Sequence, residues 1–175
     1  PGPNGFPTRF FQWHWGTLKE EIIAAVKLFF ETGIMREGVN ATSIVLILKV
    51  KEPKMLADFR PISLCNITYK IISKCLVNRL RPLLDDIIAP EQSAFIPARL
   101  IADNVLTAYE CIHYLKRKKG KTGGCAIKID MAKAYDRVEW QYLQEIMLAL
   151  GFSEAWTQRI MECVRMVSFS VRVNG

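Results

Sequence analysis

The sequence has few of the features that would place a chain at once. Nothing in it approaches the roughly 20 consecutive apolar residues that a membrane-crossing helix needs; the longest apolar runs, such as Ile44–Leu48, are five residues. There is no C-x-x-C pair. The five cysteines (Cys65, Cys75, Cys111, Cys125 and Cys163) are scattered and odd in number, so they read as reduced, mostly packing thiols of an intracellular protein. Histidine is nearly absent: His14 and His113 are isolated, and Cys111-x-His113 has no second pair at a zinc spacing. Neither a Gly-rich phosphate loop nor a nucleophile elbow is present. The start, at Pro1, carries no charged-then-apolar leader. Acid is short as well, with 17 Asp+Glu against 24 Lys+Arg, which leaves a net charge of +7.

What is present is the makings of a packed domain. Half of the 175 residues are hydrophobic and 23% are charged, which excludes a disordered tail. Both ends look cut. The opening PGPNGF is loop chemistry. The last segment alternates, with Phe169, Val171 and Val173 on one face and Ser168, Ser170, Arg172 and Asn174 on the other, the pattern of a half-buried strand. It ends on Asn174-Gly175, a strong hairpin signal with no returning strand. The expectation is a fragment of a longer protein.

Periodicity gives the elements. Thr17-x-x-Glu20 has the form of a capping box ahead of Leu18, Ile22, Val26, Phe29 and Phe30, with Gly33 as the stop. Ser43–Val50 reads as a buried strand. Residues 51–63, broken by Pro53 and Pro61, read as loop or irregular strand. Ile67, Ile71, Ile72, Cys75, Leu76 and Leu80 define a long helix that Pro82 ends or kinks, with a short helix over Leu83–Ile88. A further helix carries Ile101, Val105, Leu106, Tyr109, Ile112 and Leu115. Cys125–Asp130 reads as a strand. Trp140–Leu150 is a helix ended by Gly151, and Ser153 caps another. Helices and strands mix without a βαβ period, so the class is α+β.

Three constellations can carry chemistry. In KIDMAKAYDRVEW, Lys128–Trp140, an apolar strand delivers Asp130 at its end, a good position for a Mg²⁺ ligand; N-capping the next helix is the structural alternative. In ADFRPISL, Ala57–Leu64, Arg60 sits between an aromatic and a proline and suits a phosphate, or else pairs with Asp58. Lys49, at the end of the Ser43–Val50 strand, can aim at the same place. The run Lys116, Arg117, Lys118, Lys119, Gly120, Lys121 can hold a nucleic-acid backbone or simply be a solvated helix end. The aromatic opening, Phe6, Phe10, Phe11, Trp13 and Trp15 with Arg9 and His14, can stack bases or pack against the body. Asp85-Asp86 reads as the solvated face of a helix.

In order along the chain, PGPNGF, SIVLILK, DFRPISLCNITYKIISK, QSAFIPARLIADN and KIDMAKAYDRVEW resemble the N-terminal half of a non-LTR (LINE-type) retrotransposon reverse transcriptase, most like the plant versions. The resemblance implies a right-hand polymerase fold, truncated: residues 1–123 mainly fingers, 124–175 the start of the palm. It implies RNA-directed DNA synthesis, in which a dNTP is added to a primer 3′-hydroxyl with two Mg²⁺ ions about 3.5–4 Å apart. Asp130 would be the first metal-binding carboxylate, and the Met131 carbonyl a further ligand. Tyr135 would be the gate that rejects a 2′-hydroxyl. Lys133 and Ala134 would offer backbone N–H groups to the triphosphate, and Lys49 and Arg60 would grip it from the fingers. Lys116, Arg117, Lys118, Lys119 and Lys121 would meet nucleic acid.

Implied partners are an RNA template, a DNA primer, the dNTP, and the missing C-terminal palm and thumb, with no membrane. The implied place is nuclear or cytoplasmic. Three positions depart from the family pattern: Asn4 for Asp, Leu48 for Pro, and Ala98 for the Gly of IPGR, where a positive φ would make alanine costly. The family's paired palm aspartates do not appear, so the chain alone is expected to be inactive. The alternative reading is a nucleic-acid-binding remnant, or a non-functional piece of a decayed element.

Overall fold

The computed structural model describes residues 1–120 and 123–172. The packing divides them into two compact units, Pro1–Val77 with Glu139–Gly175, and Asn78–Val138.

The first unit is built on helices α1 (Thr8–Trp13), α2 (Trp15–Thr32) and α3 (Ile67–Leu80), strands β1 (Ala41–Leu48) and β2 (Phe59–Cys65), and, from the far end of the chain, α6 (Trp140–Ala149), α7 (Glu154–Arg165) and β3 (Ser168–Val171). Apolar residues at helical spacing on α2 and α3 meet α7: Phe29, Met35, Ile72, Leu76 and Cys163 form the core, with Val26, Tyr69, Trp156 and Ile160 packed against it. Polar groups fasten the same three helices. Arg159 of α7 donates through Nε and Nη2 to the Phe30 carbonyl at 3.0 and 2.6 Å, one of the orphan carbonyls at the end of α2. Glu162 accepts from the Met35 N–H at 3.0 Å. Burial pushes the Cys163 thiol up to about 11 and the Tyr69 hydroxyl up to about 12, so both stay neutral in this core. All five cysteines are free, with Cys163 buried, Cys65 and Cys75 half-buried, and Cys111 and Cys125 exposed.

The sheet is mixed, in order β2-β1-β3. β1 pairs antiparallel with β2, Ile47 opposite Arg60 and Leu46 opposite Pro61, and parallel with β3, Ala41 opposite Ser168. β2 therefore corrects the reading of residues 51–63 as loop or irregular strand. Pro61 argued against a regular strand, but β2 is an edge strand, where a proline is tolerated because one side has no partner. The capping box also fails to form. The chain is already helical from Thr8, bends at His14 and restarts at Trp15. The His14 carbonyl takes the Thr17 and Leu18 N–H groups, which leaves Thr17 inside the first turn of α2. Gly33 ends α2 in the left-handed conformation, φ 74°, as the sequence predicts. β3 covers Ser168–Val171 with every residue exposed, so it is an edge strand and not half-buried; Asn174-Gly175 lies outside the described residues.

Asn66 joins three segments. Its carbonyl takes the Lys70 N–H at 3.1 Å and so starts α3. Its Nδ2 donates to the Gly38 and Val39 carbonyls at 3.0 and 3.4 Å. Its Oδ1 accepts the Asn4 N–H at 3.2 Å. The opening PGPNG thereby docks beside the Cys65–Asn66 junction, so closely that a Cβ on Gly2 would stand 2.5–2.6 Å from Asn66 and the Cys65 carbonyl carbon. Asn4 Oδ1 only accepts, from the Phe6 N–H at 3.2 Å; an aspartate would serve equally there.

In the second unit, Pro82 turns the chain after α3 into a 3₁₀ turn, Arg81–Leu83, and a short helix, α4 (Leu84–Ile87). The irregular stretch from Ile88 to Leu100 then leads to α5 (Ile101–Arg117), which carries no buried residue. That stretch is organised by Arg99. Its guanidinium, 17% exposed, meets Asp85 Oδ1 at 2.7 Å and donates to the carbonyls of Asp85, Ile88, Ala89 and Gln92 at 2.6–3.2 Å. Asp85 is thus an ion-pair partner and not merely a solvated helix face. Ile96 is buried beneath the same stretch.

Ala98 has φ 63°, the left-handed region in which a Cβ costs on the order of 1 kcal/mol. Ala98→Gly is therefore expected to stabilise this unit by about 1 kcal/mol, read as stronger amide-exchange protection around residues 96–100.

Cys125–Asp130 is not a strand. It lies in an irregular segment with no ladder partner among the described residues, and Ile127 and Ile129 are 80% and 87% exposed. An apolar, β-branched run becomes a strand only when a neighbour completes its hydrogen bonds.

Candidate functional site

The β1–β2 hairpin places Lys49 and Arg60. The Lys49 N–H donates to the Asp58 carbonyl at 2.8 Å, which carries the β1–β2 ladder one step past Leu48. Because Ile47 faces Arg60 and side chains alternate along a strand, Lys49 and Arg60 project on one face as diagonal neighbours, within reach of one ligand. Both are exposed. Arg60 makes no ion pair with Asp58, whose Oδ2 instead accepts the Lys54 and Met55 N–H groups at 2.9 and 3.0 Å. Lys49 Nζ donates to the Ala57 carbonyl at 2.9 Å, so this lysine also ties the hairpin shut.

The hairpin has a pH signature. The Lys54 N–H, the Met55 N–H and the nearby Lys49 ammonium hold the Asp58 carboxyl below its ordinary 3.8. A depressed carboxylate stabilises the fold above its unfolded pKa, and that contribution is lost as pH falls through the folded value. The tip is therefore expected to hold at neutral pH and to loosen only below about pH 4. The measurement is the Asp58 side-chain carbon shift, followed with the Lys54 and Met55 amide shifts. A midpoint at or above the ordinary carboxylate value would contradict the geometry.

The second cluster lies in the other unit. Asp130 is exposed and makes no capping hydrogen bond; the 3₁₀ turn Ala134–Arg137 has Lys133 at its N-cap with no side-chain cap. The N-capping alternative for Asp130 therefore falls away. Lys133 sits in the left-handed region, φ 54° and ψ 47°, an unusual cost for a residue with a Cβ. A left-handed residue beside right-handed neighbours turns successive N–H groups to one side, the geometry of an anion-binding nest. The Asp136 N–H is drawn back to the Lys133 carbonyl at 3.0 Å. Met131 and Tyr135 are exposed, Tyr135 by 81%. Lys116 and Arg117 form the last turn of α5 and Lys118 its C-cap; Lys119 is exposed, and Lys121 lies outside the described residues.

The structure thus brings Lys49 and Arg60 together on one hairpin, and Asp130 through Tyr135 together on one loop. No group of three His, Cys, Asp or Glu side chains among the described residues could hold a metal ion. Asp130 belongs to no such group among the described residues. No described helix is long and apolar enough to cross a membrane.

A family model described as reverse transcriptase (RNA-dependent DNA polymerase) matches residues 49–175, well over half of the chain. The chain belongs to the reverse transcriptase family. Lys49, Arg60, Asp130 and the Lys133 turn all fall inside that match. Over 176 aligned positions the chain is also 29% identical to the Transposon TX1 uncharacterized 149 kDa protein of Xenopus laevis, with 99% of this chain aligned. It spans 13% of that protein's length. Reverse transcriptases use divalent metal ions and act on nucleic acid with deoxynucleoside triphosphates, and this reverse transcriptase domain carries the mixed α+β structure expected of part of such a fold.

Sequence reasoning missed two organising residues. Arg99 and Asn66 both lie inside the motifs that carry the resemblance, but nothing in their neighbours announces a guanidinium gathering four carbonyls or an amide joining three segments. The one available signal was a polar residue, Asn66, between the end of β2 and the start of α3.

Proposed function

We propose that this reverse transcriptase domain takes part in adding dNTPs to the 3′-hydroxyl of a DNA primer on an RNA template. The observation that carries the proposal is the left-handed turn at Lys133, three residues after the exposed Asp130. Asp130 is the catalytic carboxylate and one Mg²⁺ ligand, with the Met131 carbonyl beside it; the remaining ligands belong to other segments. The Lys133 and Ala134 N–H groups take the triphosphate, and Tyr135 stacks on the sugar and excludes a 2′-hydroxyl. Lys49 and Arg60 grip the triphosphate from the hairpin, and Lys116, Arg117, Lys118, Lys119 and Lys121 meet the nucleic-acid backbone. In this reading residues 1–123 act mainly as fingers and 124–175 begin the palm. A longer protein supplies the rest of the palm and the thumb, in the cytoplasm or the nucleus.

The test is binding of Mn²⁺–dTTP, followed by water-proton relaxation. Asp130→Asn, Lys49→Ala and Arg60→Ala are each expected to weaken binding about tenfold, the worth of one charge-assisted contact. Unchanged affinity in Asp130→Asn overturns the assignment. Because Asp130 alone cannot hold two ions, the 175-residue chain is expected to incorporate no dTTP on poly(rA)/oligo(dT); robust incorporation refutes that part.

A further inference from the structure

We propose that the apolar cleft between α2, α3 and residues 34–39 binds a small aliphatic carboxylate, its chain against the core and its anion on Arg36. The cleft shares no residue with the site assigned above.

The cleft follows from how α2 ends. Ala25, Leu28 and Phe29 stand at helical spacing on one side of α2. Gly33 stops that helix in the left-handed conformation, and residues 34–39 then pass α3, where Thr68 and Ile72 are one turn apart and line the same space. Together these residues border an unfilled volume of about 100 Å³. Its inner wall is core, with Phe29 and Ile72 2% and Met35 4% exposed. Its outer wall is Leu28 and Ile34, 55% and 69% exposed. The volume sets the size of the occupant. It is about two thirds of the roughly 150 Å³ in which an engineered apolar cavity takes a benzene, so it has room for a chain of about four carbons.

The polar lining sets the rest. Arg36 and Thr68 are the polar residues of the wall, and Arg36 is the charged one. Arg36 is exposed, and its guanidinium has no hydrogen-bond or ion-pair partner among the described residues. Glu162, whose carboxylate takes the Met35 N–H, does not line the cleft. The wall therefore offers an anion a planar set of donors with no competing carboxylate, and offers an alkyl chain an apolar floor. A neutral alkane leaves the guanidinium unused and an alkylamine is repelled by it. A polyanion finds no second cation in the lining. One short chain ending in one negative charge matches both parts of the wall.

The test uses the 175-residue chain in EDTA, without dNTP or nucleic acid, so failure of the Asp130 assignment cannot affect the result. The probe is sodium valerate at constant ionic strength, compared with acetate and with the neutral valeramide. Amide shifts of residues 34–39 and Thr68 read the affinity. Valerate is expected to saturate with a Kd of about 1 mM. It should bind at least tenfold more tightly than acetate, which is three carbons shorter, and roughly fivefold more tightly than valeramide. Arg36→Gln, at an exposed position, is expected to bring valerate down to the affinity of valeramide and to leave valeramide unchanged. Ala25→Leu, at an exposed helix position, is expected to fill the entrance and abolish binding of both; if it does not fold, Arg36→Gln still decides. Shifts that stay linear in valerate overturn the proposal. So does a valerate affinity no better than that of acetate or valeramide, or one that Arg36→Gln leaves unchanged.

Discussion

Arg99→Ala is expected to release the stretch from Ile88 to Leu100 while the α2–α3–α7 core stays folded. Few apolar groups hold that stretch; Ile96 is the buried one there. The guanidinium does the organising, because it can place five N–H donors in one plane and here they reach Asp85 and the carbonyls of Asp85, Ile88, Ala89 and Gln92. Those carbonyls include orphans at the end of α4, which an alanine would leave to water. Asp85 is 71% exposed, so the ion pair itself adds little; the loss falls on the carbonyl contacts. The expected cost is on the order of 3 kcal/mol. It should appear as fast amide exchange and new protease sites confined to residues 88–100. Lysine cannot repeat a planar fork, so Arg99→Lys should recover less than half of the loss. Unchanged protection in Arg99→Ala would show that the contacts are incidental.

Substituting Asn66 should be felt in three places at once. Its side chain is nearly fully buried and serves as acceptor for Asn4 and donor for Gly38 and Val39. Alanine leaves these partners unmet near the surface of the core, at a cost of about 2 kcal/mol. Aspartate is the sharper test. It keeps the acceptor for Asn4 but turns a carboxylate oxygen toward two carbonyl oxygens, so Asn66→Asp should be less stable than Asn66→Ala. Urea melts rank the two, and exchange of the Asn4 amide reports whether the opening segment detaches. The reverse ranking would mean that docking of PGPNG, not the loop at Gly38–Val39, sets the worth of this residue.

Much of the architecture was legible because it depends on local chemistry. The helices around Phe29, Ile72, Met147 and Ile160 follow apolar spacing, Gly33 and Gly151 stop them at positive φ, and Ser153 caps α7 by accepting the Trp156 N–H. Even the suspicion that position 98 wants a glycine is met by its φ of 63°. What was illegible depends on partners far away in sequence. Pro61 is compatible with β2 only because that strand lies at an edge, and edge position is a property of the sheet. Ile127 and Ile129 have a strand's composition but no strand beside them among the described residues. α1 was missed because TRFFQW, at six residues, is too short for a helical period to be read. At the candidate site, the residue types at 49, 60 and 130 were readable. The left-handed backbone at Lys133 was not, since lysine gives no hint of it.

The interleaving of the two units bears on how the polypeptide acquires its structure as it leaves the ribosome. β1 emerges early, but its partner β3 comes much later; Ser43 and Ser170, whose hydroxyls meet at 3.3 Å, are 127 residues apart. Between them the whole of Asn78–Val138 must be made, an interval of roughly 3–12 s at about 5–20 residues per second. During that time β1 has β2 on one side and an open edge on the other, and Phe29 and Ile72 wait for α7. An early hairpin with a late third strand is a nascent chain that depends on being shielded.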